Sequence, residues 1–119
     1  MFDQQIKKLE IITKEQCNEL YEMYNRGKND ASLQKFQAFQ EKLYESKLIF
    51  NFNWIRWYDG YDSLEDTKSD YSQLPIIKVS MLLTSIFQSE MFCQGTIEKH
   101  LQNETIQKLM ERLIKLKEG

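Results

Sequence analysis

The sequence predicts an all-α fold, a compact bundle of four to six helices that forms a single domain over residues 1–119. The stretch from Pro75 to Phe87 has apolar side chains on nearly every side of a helix, which is typical of a helix buried by its neighbours. The flanking segments instead have apolar residues at helical spacing on one side. A strand pattern occurs only at Lys47 to Phe52, and a lone strand cannot build a sheet. We therefore expect a central buried helix at about residues 75–90.

Composition indicates a globular protein without a membrane span. Of the 119 residues, 41% are hydrophobic and 29% are charged, and no apolar run reaches the length of a spanning helix. Residues Met1 to Glu10 include four charged side chains and no apolar core of a secretory signal, so we expect a cytoplasmic protein. The formal net charge of -2 provides no general attraction for nucleic acid.

The first predicted helix begins at a capping box. Thr13 can accept a hydrogen bond from the amide of Gln16, whose side chain can accept one from the amide of Thr13 in return. Apolar residues then repeat at helical spacing, which predicts a helix from about Lys14 to Arg26. We expect Gly27 to end it as a left-handed cap and Lys28 to Asp30 to form a polar link.

The second predicted helix runs from Ala31 or Ser32 to Ser46. Its apolar face consists of Leu33, Phe36, Phe39, Leu43 and Tyr44. Because the link is short, the two helices should form an antiparallel hairpin. We interpret Lys47 to Phe52 as an extended connection.

An aromatic segment follows this connection. Six aromatic residues lie between positions 50 and 61, namely Phe50, Phe52, Trp54, Trp57, Tyr58 and Tyr61. A short helix would direct Trp54 and Trp57 to one side. Residues 59–70 are polar and acidic, with an expected helical turn at Ser63 to Lys68. Pro75 suits the first turn of the central helix because proline needs no amide partner there.

The region after the central helix predicts two more helices. We expect Gly95 to end or kink the central helix, and Ile97 and Leu101 to mark a short helix after it. Asn103 can cap the last helix. The apolar face of that helix consists of Ile106, Leu109, Met110, Leu113 and Leu116.

Three motifs over residues 50–113 resemble a family of small bacterial proteins, the domain-of-unknown-function family 6508. They are the segments Trp54 to Trp57, Leu82 to Gly95 and Thr105 to Leu113. The chain has Gln88 and Met91 where the family pattern has arginines, and it lacks a glycine expected near Asn103 or Glu104. If the family uses those arginines to bind an anion or an acidic partner, this chain should do so poorly. The family has no established activity, so the resemblance implies no mechanism.

The sequence contains no convincing catalytic or metal-binding constellation. Seven residues separate Cys93 from His100, a rise of about 10.5 Å on a continuous helix, so only a sharp break at Gly95 would bring the two together. His100 is the sole histidine, and no phosphate-binding loop or calcium-loop spacing is present. Cys17 and Cys93 match neither a disulfide framework nor a zinc site, and we expect two buried or half-buried thiols, Cys93 beside Phe92. We therefore expect no enzyme activity, no cofactor and no metal.

The leading functional hypothesis is a non-enzymatic protein–protein interaction module, with a partner protein or a second copy of the chain bound at the aromatic segment. Trp, Tyr and Arg dominate the binding energy of interfaces. The candidate contact residues are Trp54, Arg56, Trp57, Tyr58, Tyr61 and Met91. An alternative interpretation is that both tryptophans anchor the connection onto the helical core.

The runner-up hypothesis is a small nucleic-acid-binding protein that uses the last helix. The candidate residues are Lys108, Arg112, Lys115 and Lys117. Glu104, Glu111 and Glu118 alternate with these cations, which makes the face mixed instead of basic. We therefore rank nucleic acid below a protein as the partner.

Overall fold

The structure is a computed structural model and describes residues 2–28, 33–65 and 70–118. Within these ranges the chain forms seven α-helices, one short 3₁₀ helix at Trp54–Arg56 and no β-strand, which confirms the predicted all-α fold. The helices are α1 Asp3–Ile11, α2 Lys14–Lys28, α3 Leu33–Glu45, α4 Tyr58–Glu65, α5 Ile76–Ser89, α6 Thr96–Gln102 and α7 Thr105–Glu118.

Helix α5 is the central element, as the apolar run predicted. Pro75 is its N-cap in an extended conformation, and every residue from 79 to 87 is buried. Helices α1, α4, α6 and α7 and the 3₁₀ helix all pack against α5. Because these neighbours surround it, even the hydroxyl residues Ser80, Thr84 and Ser85 are buried.

Helices α2 and α3 pack against each other as the predicted hairpin. The capping box is formed: Thr13 Oγ1 accepts from the Gln16 amide at 3.1 Å, and Gln16 Oε1 accepts from the Thr13 amide at 2.8 Å. The predicted cap at Gly27 is wrong, because Gly27 lies inside α2 and is buried on the same face as Leu20 and Tyr24. Residues 29–32, which include most of the predicted link and the predicted start of the second helix, lie outside the described residues.

A left-handed residue ends α3. Lys47 has a φ of 70°, and its amide donates to the carbonyl of Tyr44 at 3.1 Å. The amide of Leu48 donates to the carbonyl of Leu43, also at 3.1 Å, and both leucines are buried. These are the two bonds and the apolar contact of a Schellman motif. The predicted extended connection therefore begins as a turn that inserts Leu48 into the core.

Hydroxyl groups of α5 form hydrogen bonds with backbone groups of this connection. These bonds explain how the connection packs against the core without a strand partner. Ser80 Oγ donates to the Leu48 carbonyl at 2.6 Å, and the Phe50 amide donates to Thr84 Oγ1 at 3.1 Å. Ser80 and Thr84 are four residues apart and so lie on one face of the helix. Buried backbone groups need such partners, and here side chains supply them.

Helix α1 was not anticipated from the sequence. It buries Gln5 and Leu9 and packs on α5. Gln5 Nε2 donates to the Lys47 carbonyl at 2.6 Å, and Lys117 Nζ donates to the Leu9 carbonyl at 2.9 Å at the end of α1. The helix is thus fixed by residues that are distant in the sequence.

The C-terminal helices follow the predicted order. Gly95 has a φ of 95° and separates α5 from α6. The Thr105 amide donates to Asn103 Oδ1 at 3.0 Å, which confirms Asn103 as a capping side chain at the start of α7. Helix α7 buries Ile106, Leu109, Met110 and Leu113 and packs against α2, α5 and α6.

Candidate functional site

The aromatic segment forms a single 3₁₀ turn in which the two tryptophans differ in exposure. The amide of Trp57 donates to the carbonyl of Trp54 at 3.1 Å. Trp54 is only 8% exposed and Trp57 is half-buried, whereas Ile55 and Arg56 between them are exposed. The tryptophans therefore act mainly as packing residues, and the exposed surface of the turn belongs to the residues between them.

Trp57 is held by close packing on three sides. A β-carbon at Gly60 would overlap the six-membered ring of Trp57, so only glycine allows this approach. The Phe52 ring lies 5.9 Å from the indole in an edge-on arrangement, and Lys78 Nζ lies 5.3 Å from the ring centroid. These contacts favour the anchoring interpretation of Trp57.

Helix α4 begins earlier than the helical turn predicted at Ser63 to Lys68. It spans Tyr58–Glu65 and buries Leu64, and Tyr71 Oη donates to the Ser63 carbonyl at 3.0 Å. Residues 66–69 lie outside the described part of the chain. The side chains of Tyr58 and Tyr61 also lie outside it, so their contact roles stay predictions.

The turn between α5 and α6 is fixed by one carboxylate. Glu90 Oε2 accepts from the Gly95 amide at 2.8 Å, and Glu90 Oε1 accepts from the Ile97 amide at 2.9 Å. The Cys93 amide donates to the Ser89 carbonyl at 2.8 Å. Side-chain and backbone bonds together give this turn a defined shape.

Two neighbouring apolar side chains project from this turn and form what we call the apolar tip, Met91 and Phe92. Met91 is 82% exposed and Phe92 is 76% exposed. The Phe92 ring lies 6.0 Å from the Trp54 ring, which joins the tip to the 3₁₀ turn. Met91 was predicted from the sequence as a contact residue, whereas Ile55 and Phe92 were not. The Met-Phe pair shortly before the predicted break at Gly95 was the signal in the sequence.

A cavity of about 270 Å³ lies beneath the turn, and we call it the junction cavity. Its lining includes Trp54, Leu64, Ser85, Ser89, Thr96 and His100. Of these, Trp54, Leu64, Ser85 and His100 are each more than nine-tenths buried. Exposed residues at the rim include Cys93, Gln94 and Lys99. The cavity therefore has a buried floor and a solvent-facing opening.

The left-handed Gly95 brings Cys93 and His100 to the same cavity, which a continuous helix would not do. Cys93 is exposed, so the prediction of a buried thiol is wrong there, because the turn projects away from α5 instead of continuing along it. Cys17 is buried as predicted, and desolvation raises the pKa of its thiol to about 11.

One hydrogen bond of the His100 ring involves the side chain of Asn103. Asn103 Oδ1 accepts from the Thr105 amide, so the amide nitrogen of Asn103 faces His100 Nδ1 at 3.4 Å. An acceptor at Nδ1 places the proton of a neutral ring on Nε2. The lone pair of Nδ1 therefore points at Asn103.

Two of the four cations predicted to bind nucleic acid bond to the protein backbone. Arg112 Nε donates to the Leu74 carbonyl at 2.7 Å, and Lys117 Nζ donates to the end of α1. The remaining two cations, Lys108 and Lys115, line a shallow surface pocket of about 400 Å³ together with Arg112 and acidic residues. That pocket is lined by Asp70, Tyr71, Ser72, Lys108, Glu111, Arg112 and Lys115.

Two further properties hold for the described ranges. None of their helices combines the length and the apolar character that crossing a bilayer requires. Their histidine, cysteine and carboxylate side chains form no cluster of three or more that could hold a metal ion.

The fold and this site define a small all-α protein with an exposed apolar turn above a partly enclosed cavity. The chain belongs to the family of unknown function DUF6508, which matches residues 2–119 and so extends well beyond the motifs at residues 50–113. No curated protein and no solved structure shows significant similarity to it.

Proposed function

We propose that this domain is a non-enzymatic protein-interaction module that binds a partner protein through the apolar tip and the adjoining residues Ile55 and Arg56. The observation that carries the proposal is the pair of neighbouring large apolar side chains, Met91 and Phe92, which are both mostly exposed. Single exposed apolar residues are common on protein surfaces, but a cluster of them indicates an interaction site.

The defined shape of the turn supports this proposal. An exposed loop that orders only on binding loses conformational entropy, and that loss weakens the complex. The two hydrogen bonds that the Glu90 carboxylate accepts from the amides of Gly95 and Ile97 already restrict the backbone that carries the tip. The tip is therefore preorganised for docking.

The chemistry of the surface indicates the kind of partner. Phe92 would fill an apolar pocket, and the flexible Met91 would adapt to the wall of that pocket. The exposed guanidinium of Arg56 favours an acidic group at the rim of the contact. Trp54 is buried and packs against Phe92, and Trp57 anchors the turn, so neither tryptophan is a principal contact residue in this proposal.

We place the domain in the cytoplasm of a bacterial cell. Both cysteines are free thiols, which suits a reducing compartment. The exposed Cys93 is also compatible with such a compartment, because an oxidising one would expose it to intermolecular pairing.

Affinity capture from the native cell tests the proposal. We expect Phe92→Ser and the double variant with Met91→Ser to lose a partner that the unchanged protein retains. The matched control is Ile11→Ser, because Ile11 lies on α1 and is also 76% exposed. Loss of the partner with Ile11→Ser as well, or retention with the double variant, would contradict the proposal.

Light scattering on the purified protein separates a second copy from a different partner. A dimer that dissociates in Phe92→Ser but not in Ile11→Ser would identify the chain itself as the partner. Heparin chromatography tests the nucleic-acid alternative. We expect negligible retention at low salt, because two of its four candidate cations donate to backbone carbonyls. Retention abolished by Lys108→Ala with Lys115→Ala would favour the alternative.

A further inference from the structure

We propose that the junction cavity binds a small planar heteroaromatic molecule that carries an N–H or O–H hydrogen-bond donor. This site is distinct from the apolar tip, because the cavity lies beneath the turn and the tip projects from it. The proposal depends on the size, the floor and the hydrogen bonding of the cavity.

The cavity has room for one or two fused rings. Its volume is about 270 Å³. A buried apolar cavity of about 150 Å³ is sufficient to bind benzene in a protein core. The junction cavity is therefore large enough for a bicyclic ring and too small for most larger cofactors, which need several hundred Å³.

The floor of the cavity favours an aromatic ligand. Trp54 and Leu64 contribute an indole ring and a branched aliphatic side chain, and both are almost fully buried. Indole rings pack well against other aromatic rings in offset or edge-on arrangements. The Phe92 ring also lies 6.0 Å from the Trp54 ring, and this contact helps to position the indole.

The hydroxyl groups in the lining are hydrogen-bond acceptors for a ligand. Each of the three donates its own hydrogen to a backbone carbonyl: Ser85 to Met81 at 2.9 Å, Ser89 to Ile86 at 3.1 Å and Thr96 to Cys93 at 2.6 Å. A hydroxyl has one hydrogen and two lone pairs, so these oxygens keep the capacity to accept. A ligand that donates hydrogen bonds satisfies them, whereas a ligand with only acceptors does not.

Cys93 provides a reporter at the opening of the cavity. Its thiol is exposed at the rim, whereas the thiol of Cys17 is fully buried. Burial also raises the pKa of Cys17 to about 11, which suppresses the reactive thiolate. Iodoacetamide should therefore label Cys93 selectively in the folded protein, and a ligand in the cavity should slow that reaction.

The test compares indole with benzofuran, which has nearly the same size and shape but an oxygen in place of the N–H group. We expect indole to slow the alkylation of Cys93 in a saturable manner. Benzofuran should bind about three- to tenfold more weakly, the effect of one hydrogen bond. Equal affinities, or no saturable protection by indole, would overturn the proposal.

Substitution of the acceptors locates the effect. In the triple variant Ser85→Ala, Ser89→Ala and Thr96→Val, the affinity for indole should fall to that for benzofuran, and the affinity for benzofuran should not change. Ser72→Ala, at an exposed serine outside the cavity lining, is the matched control. An advantage of indole that persists in the triple variant would overturn the assignment. The comparison of indole with benzofuran on the unchanged protein tests the proposal even if the triple variant does not fold.

Discussion

The six-membered ring of Trp57 lies where a β-carbon of Gly60 would otherwise be placed. The amide of Gly60 also donates to the carbonyl of Trp57 at 3.2 Å, so the two residues are joined by packing and by a hydrogen bond. This pair fixes the start of α4 against the aromatic turn.

Gly60→Ala should destabilise the protein. Alanine in place of glycine inside a helix normally stabilises it by about 1 kcal/mol. Here the added methyl group overlaps an indole ring, and overpacking of this kind costs about 1–3 kcal/mol. We expect a net loss of free energy of unfolding in urea denaturation. In a Trp57→Leu background, Gly60→Ala should no longer lower the free energy of unfolding. A stabilising Gly60→Ala in the unchanged protein would mean that the contact is absent.

Glu90→Gln should loosen the turn that carries the apolar tip. The amide side chain keeps one acceptor oxygen and replaces the other with a donor, so the Gly95 or the Ile97 amide loses its partner. We expect hydrogen exchange at that amide to accelerate about tenfold, which corresponds to a bond of about 1.4 kcal/mol. Glu98→Gln on α6 is the control, since Glu98 is exposed. Unchanged protection in Glu90→Gln would contradict the role of Glu90.

Stability should fall at alkaline pH because of Cys17. Burial raises the pKa of its thiol from 9.0 to about 11, so the folded state binds the proton more tightly than the unfolded state. The contribution is complete below pH 9 and is lost as the pH rises to 11. Its full size is about 3 kcal/mol.

Urea denaturation of the unchanged protein and of Cys17→Ala between pH 8 and 12 measures this contribution. Cys17→Ala should have a lower stability at pH 8 and a shallower decline above it. Some decline should remain, because burial also raises the pKa of Tyr24 to about 12. Parallel declines in the two proteins would contradict the assignment to Cys17.

Lys117→Met should weaken the attachment of α1. The ammonium group donates to the Leu9 carbonyl at 2.9 Å and the Glu10 carbonyl at 3.5 Å, and a positive charge at the end of a helix also favours its dipole. We expect a loss of about 1 kcal/mol and faster hydrogen exchange in α1. Lys115→Met, at an exposed lysine two residues earlier, should change neither.

The helices that carry strong apolar patterns were predictable from the sequence. The apolar run from Ile76 to Phe87 indicated α5, and Thr13 with Gln16 located the start of α2 within one residue. Helix α1 was not predicted because one of its two buried residues is the polar Gln5, whose hydrogen-bond partners are distant in the chain. Apolar periodicity does not mark a helix whose buried face is partly polar and bonded to distant residues.

The candidate site was only partly predictable. Whether Trp57 is a contact or an anchor depends on how closely Gly60 approaches it, which the sequence does not encode as a pattern. The junction cavity depends on the left-handed conformation of Gly95, which redirects the chain between Cys93 and His100. The sequence indicated a break at this glycine but not the direction of the chain after it.

The bond between Lys117 and Leu9 has a consequence for synthesis on the ribosome, because it joins residues that are 108 positions apart. Helix α1 is translated before α5, so its packing surface on α5 exists only once residue 89 has emerged. The carbonyls of Leu9 and Glu10, at the end of α1, gain the Lys117 ammonium as a donor only after residue 117 has emerged from the ribosome. Folding therefore finishes only after translation of α7, and a nascent chain stalled before α5 has emerged leaves the packed side of α1 open to chaperones.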